Sequence, residues 1–354
     1  MEQLELYIKI DLTTLPSRST IKGLNRAQFH HKEELLKKFN LDEIIKSPLP
    51  PPSPLTLREK KQLITSIRFQ LISLYRETDP GTNTDLNDIT YYRLERGLDI
   101  VLLGLDSPHR QAVDAYIGFF AFKNLMPYAY GGTWLLGSMA KIGLNIFPSY
   151  RGGESTWFFA QLMRVYSQEF NPDYFIAEPY QVGRGNPEGI ASGAFWFYYK
   201  LGYRPLSKLH QTLATKEFAK LKSGKIKSTS AKTLKFLAEE ELGFSIKENT
   251  SLSKSKFDTI QLGAAVTRFI RKKFIGDLKK ATQQSLIALR KELKLKDDKK
   301  YLSLLSGIER IALYLNAGGG INSWSKNEKQ LLLDLIEEKA IGTESRYAKK
   351  FDLI

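Results

Sequence analysis

The stretch of the chain with the most chemistry in its spacing is Lys141-Ile-Gly-Leu-Asn-Ile-Phe-Pro-Ser-Tyr-Arg-Gly-Gly-Glu-Ser155. Ile142, Leu144 and Ile146 alternate as a strand does, and the segment from Ser155 to Phe170 has the apolar period of a helix. A strand that runs through Pro148, Tyr150, Arg151, Gly152 and Gly153 into a helix is a physical recipe for an anion site. Glycines let the backbone approach a ligand, successive N–H groups point outward, the helix start adds positive potential, and Arg151 offers a fork of donors. The same spacing also serves a tight turn whose glycines satisfy backbone geometry alone.

Other motifs are weaker. Gly183-Arg-Gly-Asn-Pro-Glu-Gly189 has the spacing G-x-G-x-x-x-G, one residue too long for a dinucleotide fingerprint, and no acidic residue stands about 20 positions later. Gly189-Ile-Ala-Ser-Gly193 misses the spacing of a nucleophile elbow. The four histidines, His30, His31, His109 and His210, are scattered, so no zinc site is expected. With no cysteine, disulfides, thiolate ligands and a cysteine nucleophile are excluded.

These residues need elements to hold them. Over 354 residues the chain is 42% hydrophobic, 26% charged and 12% aromatic, the balance of a folded domain with a sizeable core. The apolar runs are too short for a membrane span, and the acidic start MEQLELY is no secretory signal, so the expected location is cytoplasmic. Residues 1–199 carry 21 basic and 21 acidic side chains, so the whole net charge of +15 falls on residues 200–354. An asymmetry of that size marks a segment with its own partner or solubility role.

Residues 1–97 read as a helical segment with an initial alternation at Leu4, Leu6, Ile8 and Ile10. Its helices span Arg26 to Lys46 and, after the stiff proline connector at 48–54, begin again at the capping box Thr56/Glu59. Residues 98–210 read as a mixed α/β (α+β) domain. Its strands are Ile100–Leu105, a hairpin of Tyr116–Phe122 and Tyr128–Leu136, the strand ending at Ile146, and Tyr174–Ala177; Ala194–Leu201 is a helix. Residues 211–354 read as an all-helical basic region, with segments near 231–242, 256–275, 277–295, 299–316 and 326–340, a second capping box at Ser325/Glu328, and no further strand.

The order of hairpin, strand, Arg-Gly-Gly loop, helix, strand and helix resembles the GNAT-like acyltransferase superfamily over residues 100–207. The family's pyrophosphate loop has the form V-x-P-x-x-R-G-x-G-x-G/A, matched here by Ile146, Pro148, Arg151 and Gly152. Its closing signature, F-Y-x-K-L-G-F, is matched by Phe197, Tyr198, Lys200, Leu201, Gly202 and Tyr203. The loop is one residue short of the family's form, Glu154 stands at the helix start, and Asn186 lies upstream of the family's asparagine. The resemblance implies a mostly antiparallel sheet with helices on both faces. It also implies that acetyl-CoA or another acyl-CoA is held by Ile146, Arg151, Gly152, Gly153, Glu154 and Ser155. The implied reaction is direct acyl transfer, from CoA or a carrier-protein thioester, to an amine or hydroxyl of a small molecule or peptide. Tyr198 matches the position of the acid that protonates the departing thiolate. Glu178, at the end of the strand beside the cleft, is the candidate base; as a solvated strand end it could equally pair with Arg184. Glu154 would repel a diphosphate, and is also simply favourable in a helix's first turn. The alternative is a GNAT-like scaffold without catalysis, binding partners through its basic helices. The tract from Lys216 to Lys300 is a solvated helix face or a docking surface for an acidic partner, an acyl carrier protein before nucleic acid.

Overall fold

The structure, a computed structural model, describes residues 29–31, 35, 36, 38–76, 79–246, 259–296 and 299–351. The alternation at Leu4–Ile10 and the start of the expected Arg26 helix lie outside them. In chain order the first elements are α1 (Leu41–Lys46), α2 (Leu57–Ser73), α3 (Asp79–Thr82), β1 (Thr84–Arg93), β2 (Leu98–Leu105), β3 (Ala115–Lys123), β4 (Met126–Leu136) and β5 (Met139–Ile146). Next come α4 (Ser155–Phe170), β6 (Tyr174–Ala177), α5 (Pro179–Val182), α6 (Pro187–Ser192), α7 (Ala194–Lys200), β7 (Arg204–Pro205), α8 (Lys208–Lys222), α9 (Ala231–Leu237) and β8 (Leu242–Ser245). The chain closes with α10 (Thr259–Phe274), α11 (Leu278–Glu292), α12 (Lys299–Ala317), α13 (Lys326–Ala340) and α14 (Glu344–Phe351).

The strands form one mixed, mostly antiparallel sheet in the order β1-β2-β3-β4-β5-β6-β8-β7. Strands β1 to β5 are an antiparallel meander, and only β5 and β6 run parallel. The β3–β4 hairpin turns on Asn124 and Leu125, both at positive φ (51° and 65°), the two-residue geometry that matches the twist of the flanking strands. The sheet is wider than residues 98–210. β1 comes from the segment expected to be helical, where Asp85, Asn87 and Asp88 mask the alternation. Asp88 is buried and accepts the amide of Ser345 (2.9 Å), which is why an acid sits on a covered strand. β8 comes from the region expected to be all-helical; four residues containing a glycine are too few to show a period.

Helices cover both faces. On one, α4 buries Phe158, Phe159, Leu162, Met163 and Tyr166 together with Phe195 and Tyr198 of α7 and Ile45 of α1. On the other, Leu63, Ile64, Ile67 and Leu71 of α2 pack on Val101, Leu103, Phe120 and Tyr130, each fully buried aliphatic contributing about 1.5–3 kcal/mol. The α2 start is fixed by the reciprocal Thr56/Glu59 box. Helices α11 to α13 enclose a separate core around Leu289, Ile308, Leu332 and Ile336. This unit is joined to the sheet by buried charges: Lys339 Nζ lies 3.6 Å from Glu344 and donates to Asp114 O (3.0 Å), while Arg110 Nε stands 3.5 Å from Glu344. Burial lowers the Lys339 pKa and raises that of Glu344, and each partner opposes the shift of the other.

Candidate functional site

Strand β5 delivers the chain to Phe147, whose amide donates to Tyr128 O (3.1 Å), and Pro148–Tyr150 then make a single tight turn. Gly152 follows at φ +75°, where an L side chain is strained, and a Cβ there would meet nothing within 4 Å. The amides from Gly152 to Trp157 make no hydrogen bond among the described residues. The first ladder bond of α4 is Phe158 N to Glu154 O (2.9 Å), and no side chain caps the helix. A helix start always leaves orphan donors; here two glycine amides extend the array outward in front of a 16-residue helix. Successive free donors of this kind suit an anion.

The charged residues of the loop go different ways. Arg151 lies outside, donating from Nε to Ile146 O (3.0 Å) and pairing through Nη1 with Glu188 of α6; both partners are about half exposed. Glu154 turns away from the free amides. It is only 5% exposed and accepts from Arg96 (2.5 Å), Lys123 (3.2 Å) and the Leu36 amide (3.0 Å). Burial alone would raise its pKa, but the Leu36 amide and the two cations outweigh it and hold the carboxyl down to about 2. Of the residues implied to hold the cofactor, Glu154 thus offers the loop its amide but not its carboxylate, which ties the chain around Leu36 to Arg96 and to Lys123 of β3. Nearby, Asn124 exchanges two bonds with the His30 backbone, both 2.9 Å, pinning the same strap. Ser155 Oγ is buried beside the Tyr128 hydroxyl, whose pKa it lowers against the larger upward push of burial.

Strands β5 and β6 pair only at Met139–Tyr174, Ala140–Phe175 and Lys141–Ile176. β6 then ends, and Pro179 starts α5, so Ile142 to Ile146 have no strand neighbour on that edge among the described residues. Their exposed backbone groups are held by side chains instead. Leu144 N donates to Gln181 Oε1 (3.4 Å), and Ile146 O accepts from Arg151. The edge thus opens directly onto the free amides of α4.

Beside it, on the face that α2 leaves uncovered, is a cleft of about 310 Å³. The register sets Gly132 and Gly143 side by side in the cleft floor, with Gly118 opposite Gly132 on the next strand. A Cβ on Gly132 would fall 2.1 Å from Tyr116 Oη, so the phenol lies in the space the glycine leaves. Tyr116 and Trp134 form one wall, their rings 4.4 Å apart, and Glu178, Tyr180 and Gln181 form another. Glu178 precedes Pro179 at the start of α5 and lies 3.3 Å from Lys141 Nζ, not against Arg184; Lys141 also meets Glu241 at 2.9 Å. Burial works against the Lys141 charge, but Glu241 and Glu178 overcome it and raise its pKa.

Tyr198 lies elsewhere. It is 3% exposed and set edge-on to Phe159 (5.5 Å), Phe197 (5.2 Å) and Tyr203 (5.4 Å); burial pushes its hydroxyl pKa well up. The structure therefore gathers Arg151, Gly152, Gly153 and Ser155 around the loop and puts Glu178 in the cleft, but Tyr198 does not line that cleft. Asn186 caps α6 through the Gly189 amide (2.9 Å), and His210 is bonded at both ring nitrogens, to Ser207 Oγ (2.7 Å) and Phe236 O (3.1 Å). Among the described residues no cluster of metal-ligating side chains occurs and no helix is long and apolar enough to cross a membrane. Sequence reasoning missed Tyr116, Trp134 and Gln181. The available signal was the presence of glycine inside each of three consecutive strands, Gly118, Gly131–Gly132 and Gly143. Set against known protein families, curated proteins and solved structures, the chain matches none of them.

Proposed function

We propose that this protein is an acyltransferase of GNAT-like architecture that moves an acyl group from a CoA or carrier-protein thioester directly to an amine or hydroxyl. The observation that carries the reading is the edge of β5, without a strand neighbour beyond Lys141, running into six amides, Gly152 to Trp157, that are unbonded among the described residues. A bound acyl-CoA would supply an activated acyl carbon. Its phosphates fit the amides of Gly152, Gly153 and Ser155, with Arg151 exchanging the exposed Glu188 for them, a substitution that costs little because surface pairs are weak. Leu144 N–H and Ile146 C=O, released by Gln181 and Arg151, are the groups left to bind an extended arm. Glu178 is the proton acceptor in the cleft, and the twice-paired Lys141 keeps it oriented. The departing thiolate takes its proton from solvent in this reading, because Tyr198 is buried away from the cleft and burial makes its hydroxyl a weaker acid.

The test is release of free thiol from acetyl-CoA in the presence of a panel of amines. The chain has no cysteine, so a thiol reagent reports the product alone. Glu178→Gln should lower kcat about 100-fold with little change in acetyl-CoA affinity. Absence of thiol release with every amine, together with absence of acetyl-CoA binding, would overturn the proposal. A second reading, a scaffold that binds without catalysis, is favoured by the separation of Tyr198 from the cleft; it predicts CoA binding with no turnover.

A further inference from the structure

The turn between α10 and α11 is built at odds with folding. Ile275 is 96% exposed and sits at φ 56°, a conformation that is costly for a β-branched residue and cheap for glycine or asparagine. Leu278, three residues on, is 57% exposed. Around these two aliphatic side chains stand Arg268, Arg271, Lys272, Lys273, Lys279 and Lys280, all exposed and none in an ion pair among the described residues. The single acid in the stretch, Asp277, is engaged in capping α11 through the Lys280 amide (2.9 Å). Neither water nor backbone geometry favours isoleucine at the tip, which leaves an exposed aliphatic side chain suited to an apolar contact.

We propose that this tip docks on an anionic lipid bilayer, with Ile275 and Leu278 entering the acyl boundary and the six cations lying among the headgroups. Charge complementarity requires an acidic partner, and the chemistry of the tip chooses among acidic partners. Nucleic acid is held by cations, alone or with aromatic and base-reading polar groups, and in neither case by exposed aliphatic side chains. Here the aromatics, Phe269 and Phe274, are turned onto each other (5.5 Å, edge-on) and half-buried, while the exposed residues are aliphatic. Aliphatic side chains gain nothing from a phosphate backbone and gain a great deal from hydrocarbon; an apolar tip within a basic rim is the pattern of interfacial binding.

The experiment is co-sedimentation of the full chain with vesicles of phosphatidylcholine, alone or containing 30% phosphatidylglycerol, at low and high salt. The proposal predicts sedimentation with the anionic vesicles only, weakening as salt rises. Lys272→Glu with Lys273→Glu should lower the partition at least tenfold. Ile275→Gly with Leu278→Ser should also lower it at least tenfold while leaving the melting temperature unchanged or higher, because glycine relieves the strained φ. No sedimentation with anionic vesicles would overturn the proposal. So would binding that is indifferent to Ile275→Gly with Leu278→Ser, or an equally tight, equally indifferent association with single-stranded RNA; the latter two would assign the tip to a purely electrostatic partner.

Discussion

Replacing Glu154 by glutamine tests whether its carboxylate is an anchor of the fold. Glutamine keeps an oxygen for the Leu36 amide but removes the negative charge that Glu154 presents to Arg96 and Lys123. The native carboxyl is depressed from 4.5 to about 2, which corresponds to about 3 kcal/mol of stability. Because the folded-state pKa lies below the unfolded one, this contribution is complete above pH 4.5 and disappears as the pH falls towards about 2. The mutant lacks it throughout, so at neutral pH it should be about 2–4 kcal/mol less stable than wild type, and the two should converge near the acid end. Urea unfolding followed by tryptophan fluorescence between neutral pH and pH 2.5 measures both curves. Limited proteolysis should cut the mutant first in the strap before Leu41. A loss below about 0.5 kcal/mol at neutral pH, or a gap that stays constant with acidification, would refute the reasoning.

Arg151→Ala should weaken CoA binding at least tenfold in a calorimetric titration while changing unfolding stability by less than about 0.5 kcal/mol, since its pair with Glu188 is exposed. Gly132→Val should push the Tyr116 side chain off the glycine floor and raise the acceptor KM at least tenfold with CoA affinity unchanged; an unaltered KM would remove the cleft from the acceptor path. Lys339→Met should cost about 3–5 kcal/mol in chemical denaturation by leaving Glu344 buried without its ammonium, and adding Glu344→Gln should recover part of the loss.

The middle of the fold was legible because its elements announce themselves one at a time. The all-buried β2, the β3–β4 hairpin, the alternating β5 and the amphipathic α4 each carry a complete local signal. Of the expected helix from Arg26 to Lys46, the described residues are helical at Leu41–Lys46, starting at the Asn40 cap; before it the Leu36 amide is held by Glu154, and Leu36 and Phe39 pack on the core outside any helix. Tertiary contacts there override the apolar period. The loop at Arg151 to Ser155 could be found because all its residues are consecutive. The direction of Glu154 could not, since Arg96 and Lys123 reach it from positions 58 and 31 residues away. The cleft was hidden for the same reason. Tyr116, Gly132, Gly143 and Gln181 come from three strands and a short helix, and only the cross-strand register brings them together.

The most direct measurement is the amide proton–nitrogen NMR spectrum of Gly152, Gly153, Glu154 and Ser155 during a titration with coenzyme A. Donors that are free in the unliganded protein should shift together and saturably, and the shifts should vanish in Arg151→Ala at the same ligand concentration. Resonances that stay in place up to millimolar ligand would contradict the account, because the diphosphate would then have no seat at the head of α4.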